Sequence, residues 1–289
     1  MKKLTGVYIT KKKNGQTYYR SSITYKGRHI SLGSFEIAEH AHSAYLEADS
    51  VLHDSSLYDI TLLETFFTAS KQTEKKAKKS FAKIDFLTYE KVVILMNFRD
   101  NGIYFHSPIY LYKNYFHYYL APGLHLTFDK EDLFYYSSHR IMKRGNHLFV
   151  SDYGMQVTIA ARYGIRNFAV KDRDYRFINQ DDTDYRYSNI EIINPYHGVL
   201  REGSFGNYTY RVLIHINGNF LVGIYEDMET AAIAYNKAAD LCHQYGIQKK
   251  FPVNYIETMS PKTYADIYSR VSVSESLISM LTSGYNPQS

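Results

Sequence analysis

The chain has 289 residues, 45% hydrophobic and 22% charged, with a net charge of +5 at neutral pH, which allows two or more domains with real cores and excludes a miniprotein or a wholly disordered chain. The single cysteine, Cys242, excludes an intrachain disulfide and a cysteine-based zinc cluster. No apolar run approaches bilayer-spanning length, and Met-Lys-Lys is followed by polar residues instead of a signal-peptide core, so the expectation is a cytoplasmic protein with no membrane partner.

The amino terminus is cationic: Lys2, Lys3, Lys11, Lys12, Lys13, Arg20, Lys26 and Arg28 all precede the first acid, Glu36. Tyr19–Gly27 is followed by Leu32-Gly33-Ser34-Phe35-Glu36 and then Ala44-Tyr45-Leu46-Glu47-Ala48-Asp49. The same order returns as Tyr210–Gly218, Val222-Gly223-Ile224-Tyr225-Glu226 and Ala234-Tyr235-Asn236-Lys237-Ala238-Ala239-Asp240, an internal repeat. Period-two segments broken at Lys26-Gly27 and Asn217-Gly218 predict three short strands in each copy. Ala38, Ala41, Tyr45, Ala48 and Leu52, like Met228, Ala231, Tyr235, Ala238 and Cys242, have the spacing of one helix face, with alanines small enough for close packing on a sheet.

This unit resembles the Apetala-two (ethylene-response-factor-like) DNA-binding domain over roughly residues 5–55 and 197–256. The likeness rests on Gly6-Val7 and Gly198-Val199, the aromatic-Arg strand, the turn glycine, the strand with Gly33 or Gly223, and the helix around Ala44-Tyr45 or Ala234-Tyr235. It implies a sheet lying in the major groove with outward side chains on bases and phosphates. Alternation puts Tyr19, Ser21, Ile23 and Tyr25 on one face and Arg20, Ser22, Thr24 and Lys26 on the other. The latter set, with Arg28 beside it and Lys11, Lys12 and Lys13 upstream, is the DNA-facing candidate, against the alternative of an ordinary solvated face. In the second copy the outward positions are Arg211, Leu213 and His215, with Arg201 in the strand before them. Leu213 is suited equally to a thymine methyl and to packing against the central domain.

Between the copies, Ile60 to Ala69 has short-helix spacing and Lys71 to Ser80 is a basic run, solvated or tracking a phosphate backbone. From Phe86 to Val150 the chain is rich in Tyr and Phe, with strand-like pieces around Val92–Met96, Ile103–Tyr110, Phe116–Ala121 and His147–Val150. A core or oligomer interface is the favoured use of these rings over a base-stacking platform. His40, His42, His139 and His147 show no metal-ligand spacing. Lys262–Thr282 predicts a terminal helix whose Leu277, Ile278, Met280 and Leu281 dock internally or join two chains.

Ile178–Ile190 resembles the segment that follows the catalytic Asp-His pair of HNH homing endonucleases, and Gln156–Gly164 resembles a helix of the same family that opens with His. At the positions this likeness marks as catalytic stand Gln156, Arg176 and Phe177. A ring without a basic nitrogen accepts no proton from water, and a guanidinium repels the divalent cation a carboxylate would recruit. The alternatives are a working nuclease with other ligands, such as Asp181, Asp182, Asp184 or Asn194, and a buried helix followed by a polar turn with no nuclease ancestry.

The expected fold class is α+β: two modules of a three-stranded antiparallel sheet plus helix flanking a central degenerate HNH-like domain. The expected divisions are 1–58, 59–85, 86–196, 197–258 and 259–289. The functional expectation is a sequence-specific double-stranded-DNA-binding regulator of bacterial or phage mobile-element origin, associated with the nucleoid, non-catalytic and without cofactor or metal, with a homodimer as a second partnership. Its rivals are a divergent active endonuclease and a protein-binding inhibitor on a DNA-binding fold.

Overall fold

Lys26 and Gly27 both adopt positive φ, 45° and 75°, the two-residue turn geometry that matches strand twist, and Tyr25 pairs with Arg28 across it. This hairpin belongs to a mixed α+β computed structural model of small two- and three-stranded sheets and helices. It describes residues 4–63, 83–145, 147–167 and 169–283. The chain forms two compact units, Met1–Ile159 with Phe177–Asn189 and Ala160–Arg176 with Ile190–Ser289. Among the described residues no helix is long and apolar enough to cross a membrane.

In the first unit β1 (Val7–Lys11), β2 (Thr17–Tyr25) and β3 (Arg28–Phe35) form an antiparallel sheet in sequence order. Helix α1 (Ala38–His53) packs on it, with Ala41, Ala44 and Ala48 fully buried. The basic run Lys71–Ser80 lies outside the described residues, as does the expected helix from Ile60 beyond Leu63.

Helix α2 (Tyr89–Asn101) takes up Val92–Met96, an apolar run whose β-branching suggests a strand. Thr88 Oγ1 accepts from Lys91 N at 3.2 Å and Gly102 closes the end in the left-handed region. Val92, Val93, Leu95 and Met96 are buried in one cluster with Ile23, Ile30 and Leu52, so the core of the first copy continues into the Tyr-rich region. That tertiary burial outweighs the strand preference of the Val-Val-Ile run.

The strands β4 (Ile109–Leu111), β5 (Tyr115–Ala121) and β6 (Leu124–Asp129) form a second sheet, followed by α3 (Leu133–Ser138). A third sheet holds β7 (Met142–Arg144), β8 (His147–Asp152) and β9 (Met155–Thr158). Gln156 lies in β9, and Ile159–Tyr163 is a short 3-10 helix, which corrects the longer helix expected over Gln156–Gly164.

After β10 (Tyr175–Phe177) and β11 (Ile190–Ile192), the second unit repeats the first architecture. The strands β12 (Val199–Ser204), β13 (Asn207–His215) and β14 (Asn219–Tyr225) form an antiparallel sheet against α4 (Met228–Gln244), where Ala231, Ala234 and Ala238 are fully buried. Asp227 caps α4 by accepting from Thr230 N at 2.7 Å.

The copies share two details. The register slips at Ser21/Ser22 in β2 and at Val212/Leu213 in β13, corresponding positions of the repeat. Gly6 and Gly198 sit at φ +74° and +71°, where an added Cβ would lie 2.1 Å from Tyr45 Cδ2 and 2.3 Å from Tyr235 Cδ2. Each passes its chain against the helix tyrosine and accepts, through its carbonyl, from Ser22 N or Leu213 N. The terminal helix is two helices, α5 (Pro261–Arg270) and α6 (Glu275–Thr282). They part where Ser274 N donates to Val222 O at 2.7 Å. Leu277 and Leu281 join the core of Val212 and Val222 with Met280 packed against it, so this part of the stripe docks internally, while Ile278 is exposed.

Candidate nucleic-acid interface

The register of the first sheet sets Tyr8, Arg20 and Ser34 side by side across its three strands, all exposed. Arg20 makes no ion pair among the described residues and lies 5.8 Å from the Tyr18 ring. Lys11, Lys12 and Lys13 are exposed at the tip of the β1–β2 hairpin, with Lys12 Nζ donating to Gln16 Oε1 at 3.1 Å. Thr24 is exposed opposite His29. Alternation alone misses Tyr8, His29 and Ser34, because their place beside Arg20 and Thr24 is set by cross-strand register.

Other residues of the proposed row are differently engaged. Ser22 is a correction: it is 6% exposed, and its Oγ, like that of Ser21, is buried without a hydrogen-bond partner. Its N donates to Gly6 O at 3.0 Å, so the chain entering β1 lies against it, while Arg20 and Thr24 two residues to either side stay exposed. Lys26 Nζ donates to Arg99 O at 3.1 Å near the carboxyl end of α2, a favourable place for a cation. The Arg28 guanidinium stacks 4.3 Å above the Tyr104 ring centre.

The second copy is less available. Arg211 Nε lies 3.0 Å from Glu202 Oε1, so a carboxylate shares the position corresponding to Arg20. Arg201 covers the Tyr208 ring at 4.4 Å, and His215 Nδ1 lies 2.9 Å from Asn219 Oδ1. Leu213 is half-buried and lines a cavity with His215, Arg166 and Arg173.

The HNH-like positions form no cluster of ligands. Phe177 is 5% exposed and meets the Tyr185 ring edge-on at 5.7 Å. Arg176 is exposed, with Nε 2.5 Å from Glu191 Oε2, and Gln156 is exposed in β9. Asp184, 3% exposed, accepts from Arg186 Nε at 2.9 Å, Arg186 Nη2 at 2.6 Å and Asn179 Nδ2 at 2.9 Å. Burial would push its carboxyl up, yet these donors hold it below the usual carboxylate range. Asn194 is likewise engaged, donating to Asp174 Oδ1 at 3.0 Å and Val199 O at 2.8 Å. Asp181 and Asp182 are exposed, and Asp181 Oδ1 accepts from Thr183 N at 2.9 Å. His42 Nδ1 donates to Thr5 O at 3.0 Å, while His139 Nε2 lies 3.5 Å from Asp152. Among the described residues no group of three or more His, Cys, Asp or Glu side chains is placed to hold a metal ion.

Comparison of the chain with family models, curated proteins and solved structures finds no match.

Proposed function

We propose that the protein binds double-stranded DNA sequence-specifically through the first sheet and acts as a transcriptional regulator on a nuclease-derived scaffold. The observation that carries this reading is the exposed Arg20, unpaired among the described residues, in a cross-strand row with Tyr8 and Ser34, next to a hairpin tip of three lysines. A guanidinium in that setting can fork onto a guanine edge, while the lysines supply sequence-independent phosphate contacts. The Apetala-two-like motif of both copies supports the same reading. A buried Phe177 and a committed Asp184 fit a scaffold that grips DNA without cutting it. Such a protein would act at the nucleoid.

Selection of bound duplexes from random DNA tests the proposal and returns a defined motif. On that motif Arg20→Ala weakens binding by about 1–3 kcal/mol. Absence of any enriched sequence, or an unchanged affinity for the variant, overturns the assignment. Magnesium-dependent, sequence-dependent nicking of the selected site would favour the endonuclease instead.

A further inference from the structure

The second unit contains a cavity of about 560 Å3 whose walls come from segments remote in sequence: residues between Arg166 and Asp174, residues between His197 and Asn219, and Tyr235 of α4. Its polar lining includes Arg166, Arg173, Asp174, His197, His215 and Asn219, and Leu213 contributes an apolar wall. The charges do not cancel. Asp174, 3% exposed, already accepts from Val170 N at 2.8 Å, Arg173 Nη2 at 2.8 Å and Asn194 Nδ2 at 3.0 Å. One carboxylate thus faces two guanidinium groups, leaving the cavity cationic.

Donor capacity remains as well. Arg166 Nη2 donates to Asn194 O at 3.0 Å, and a guanidinium has five N–H groups. The His197 ring makes no hydrogen bond among the described residues. Burial first, and the Arg166 charge second, hold its imidazole below its ordinary value. A half-buried imidazole beside an arginine is a setting that an anion would relieve, since it supplies both an acceptor and a compensating charge.

We propose that this cavity binds a phosphate group, held by Arg166, Arg173 and His197, on a ligand up to the size of a mononucleotide. The volume lies within the roughly 300–1,000 Å3 range of small-molecule sites. Planar guanidinium groups match a tetrahedral oxyanion by paired N–H donation, and the Leu213 wall suits the apolar face of an attached group. The site belongs to the second copy alone: the positions corresponding to His197, Leu213 and His215 in the first are Thr5, Ser22 and Thr24. The repeat has therefore diverged, and the inference stands independently of DNA binding by the first sheet.

Calorimetric titration of the full chain with inorganic phosphate, adenosine monophosphate and adenosine tests it, alongside a duplex DNA titration at several salt concentrations. The expected result is binding of the phosphorylated compounds but not adenosine, weakened about tenfold by Arg173→Gln and by His197→Gln, with partial retention in Arg173→Lys. If only duplex DNA binds, and Arg173→Gln and His197→Gln weaken it while Arg173→Gln lowers its salt slope, the site takes its phosphate from the nucleic-acid backbone. Circular dichroism and thermal unfolding identify any variant that fails to fold. His197→Gln removes a ring without hydrogen bonds among the described residues and keeps the test open if Arg173→Gln unfolds. No binding of any phosphate-bearing probe, or equal binding by wild type and folded variants, overturns the proposal. Loss of DNA binding in Arg20→Ala with phosphate binding intact separates this site from the first sheet.

Discussion

Replacing Asp184 by alanine removes the acceptor at the centre of the 178–190 loop. Its carboxylate takes hydrogen bonds from Arg186 Nε and Nη2, Asn179 Nδ2 and, at 3.2 Å, Arg186 N, and its side chain is 4% exposed. Removing one partner of a buried ion pair costs about 3–5 kcal/mol, because the other is left desolvated. Here the remaining partner, Arg186, is 38% exposed and regains water. The expected loss is therefore nearer about 2–3 kcal/mol, with Asp184→Asn milder because an amide oxygen still accepts from Asn179. Urea unfolding followed by tyrosine fluorescence reads the loss, since the chain has 30 Tyr and no Trp. Hydrogen exchange at the Tyr185 amide, which donates to Thr127 O at 2.8 Å, reports whether the loop opens locally. A loss below about 0.5 kcal/mol, or a double Asp184→Ala/Arg186→Ala variant whose effect equals the sum of the two singles, refutes the reasoning.

The acidic response follows from two kinds of group. Asp174 and Asp184 are both held below the usual carboxylate range, so their contribution is complete above the unfolded value and disappears as pH falls through the lower folded values; Asp174→Asn should flatten the acid-unfolding curve of the second unit below about pH 4. His117 is pushed down from 6.5 to about 4, by burial first and then by His125 and Arg186. Its neutral form therefore supports the fold, and stability should fall from pH 6.5 toward about 4, less so in His117→Gln; an NMR titration placing its pKa at its ordinary value would contradict this. Gly198→Ala forces a Cβ against Tyr235 and within 2.5 Å of Leu213 O at positive φ, whereas Gly206→Ala meets no atom within 4 Å. The first should cost more than about 3 kcal/mol and the second about 1–2 kcal/mol from the backbone alone, and equal melting temperatures would contradict the packing argument. Replacing Lys11, Lys12 and Lys13 together should reduce the salt slope of DNA binding by about 2–3 while sparing sequence preference; collapsed specificity with an unchanged slope would show that their role is different.

The two sheet-and-helix units are legible in the sequence because their determinants are local. A Lys-Gly turn at positive φ, alternation along β2 and β13, and alanines three and four apart each act within a few residues. Arg20 stood out for the same reason, as a cation on an alternating strand. Val92–Met96 could not be read this way, since a buried helix has apolar residues all round and therefore no periodic stripe. The burial of Ser22 depends on the chain at Gly6, 16 residues earlier, whose carbonyl takes its N–H. The single terminal helix was broken by a bond from Ser274 to Val222, 52 residues away in the chain.

The order of residues by itself determined that the same small fold would be built twice and that the first copy would carry the cations. Only the tertiary structure decided which cations of the two copies stay available: Lys26 in the first bonds to a carbonyl near the end of α2, and Arg211 in the second meets Glu202 across the sheet. The same holds for the cavity, where Arg166, Arg173 and Asp174 meet His197, Leu213 and Tyr235. Turns and helix faces follow from backbone preferences a few residues long, whereas charge pairing and cavity walls depend on which distant segments burial brings together.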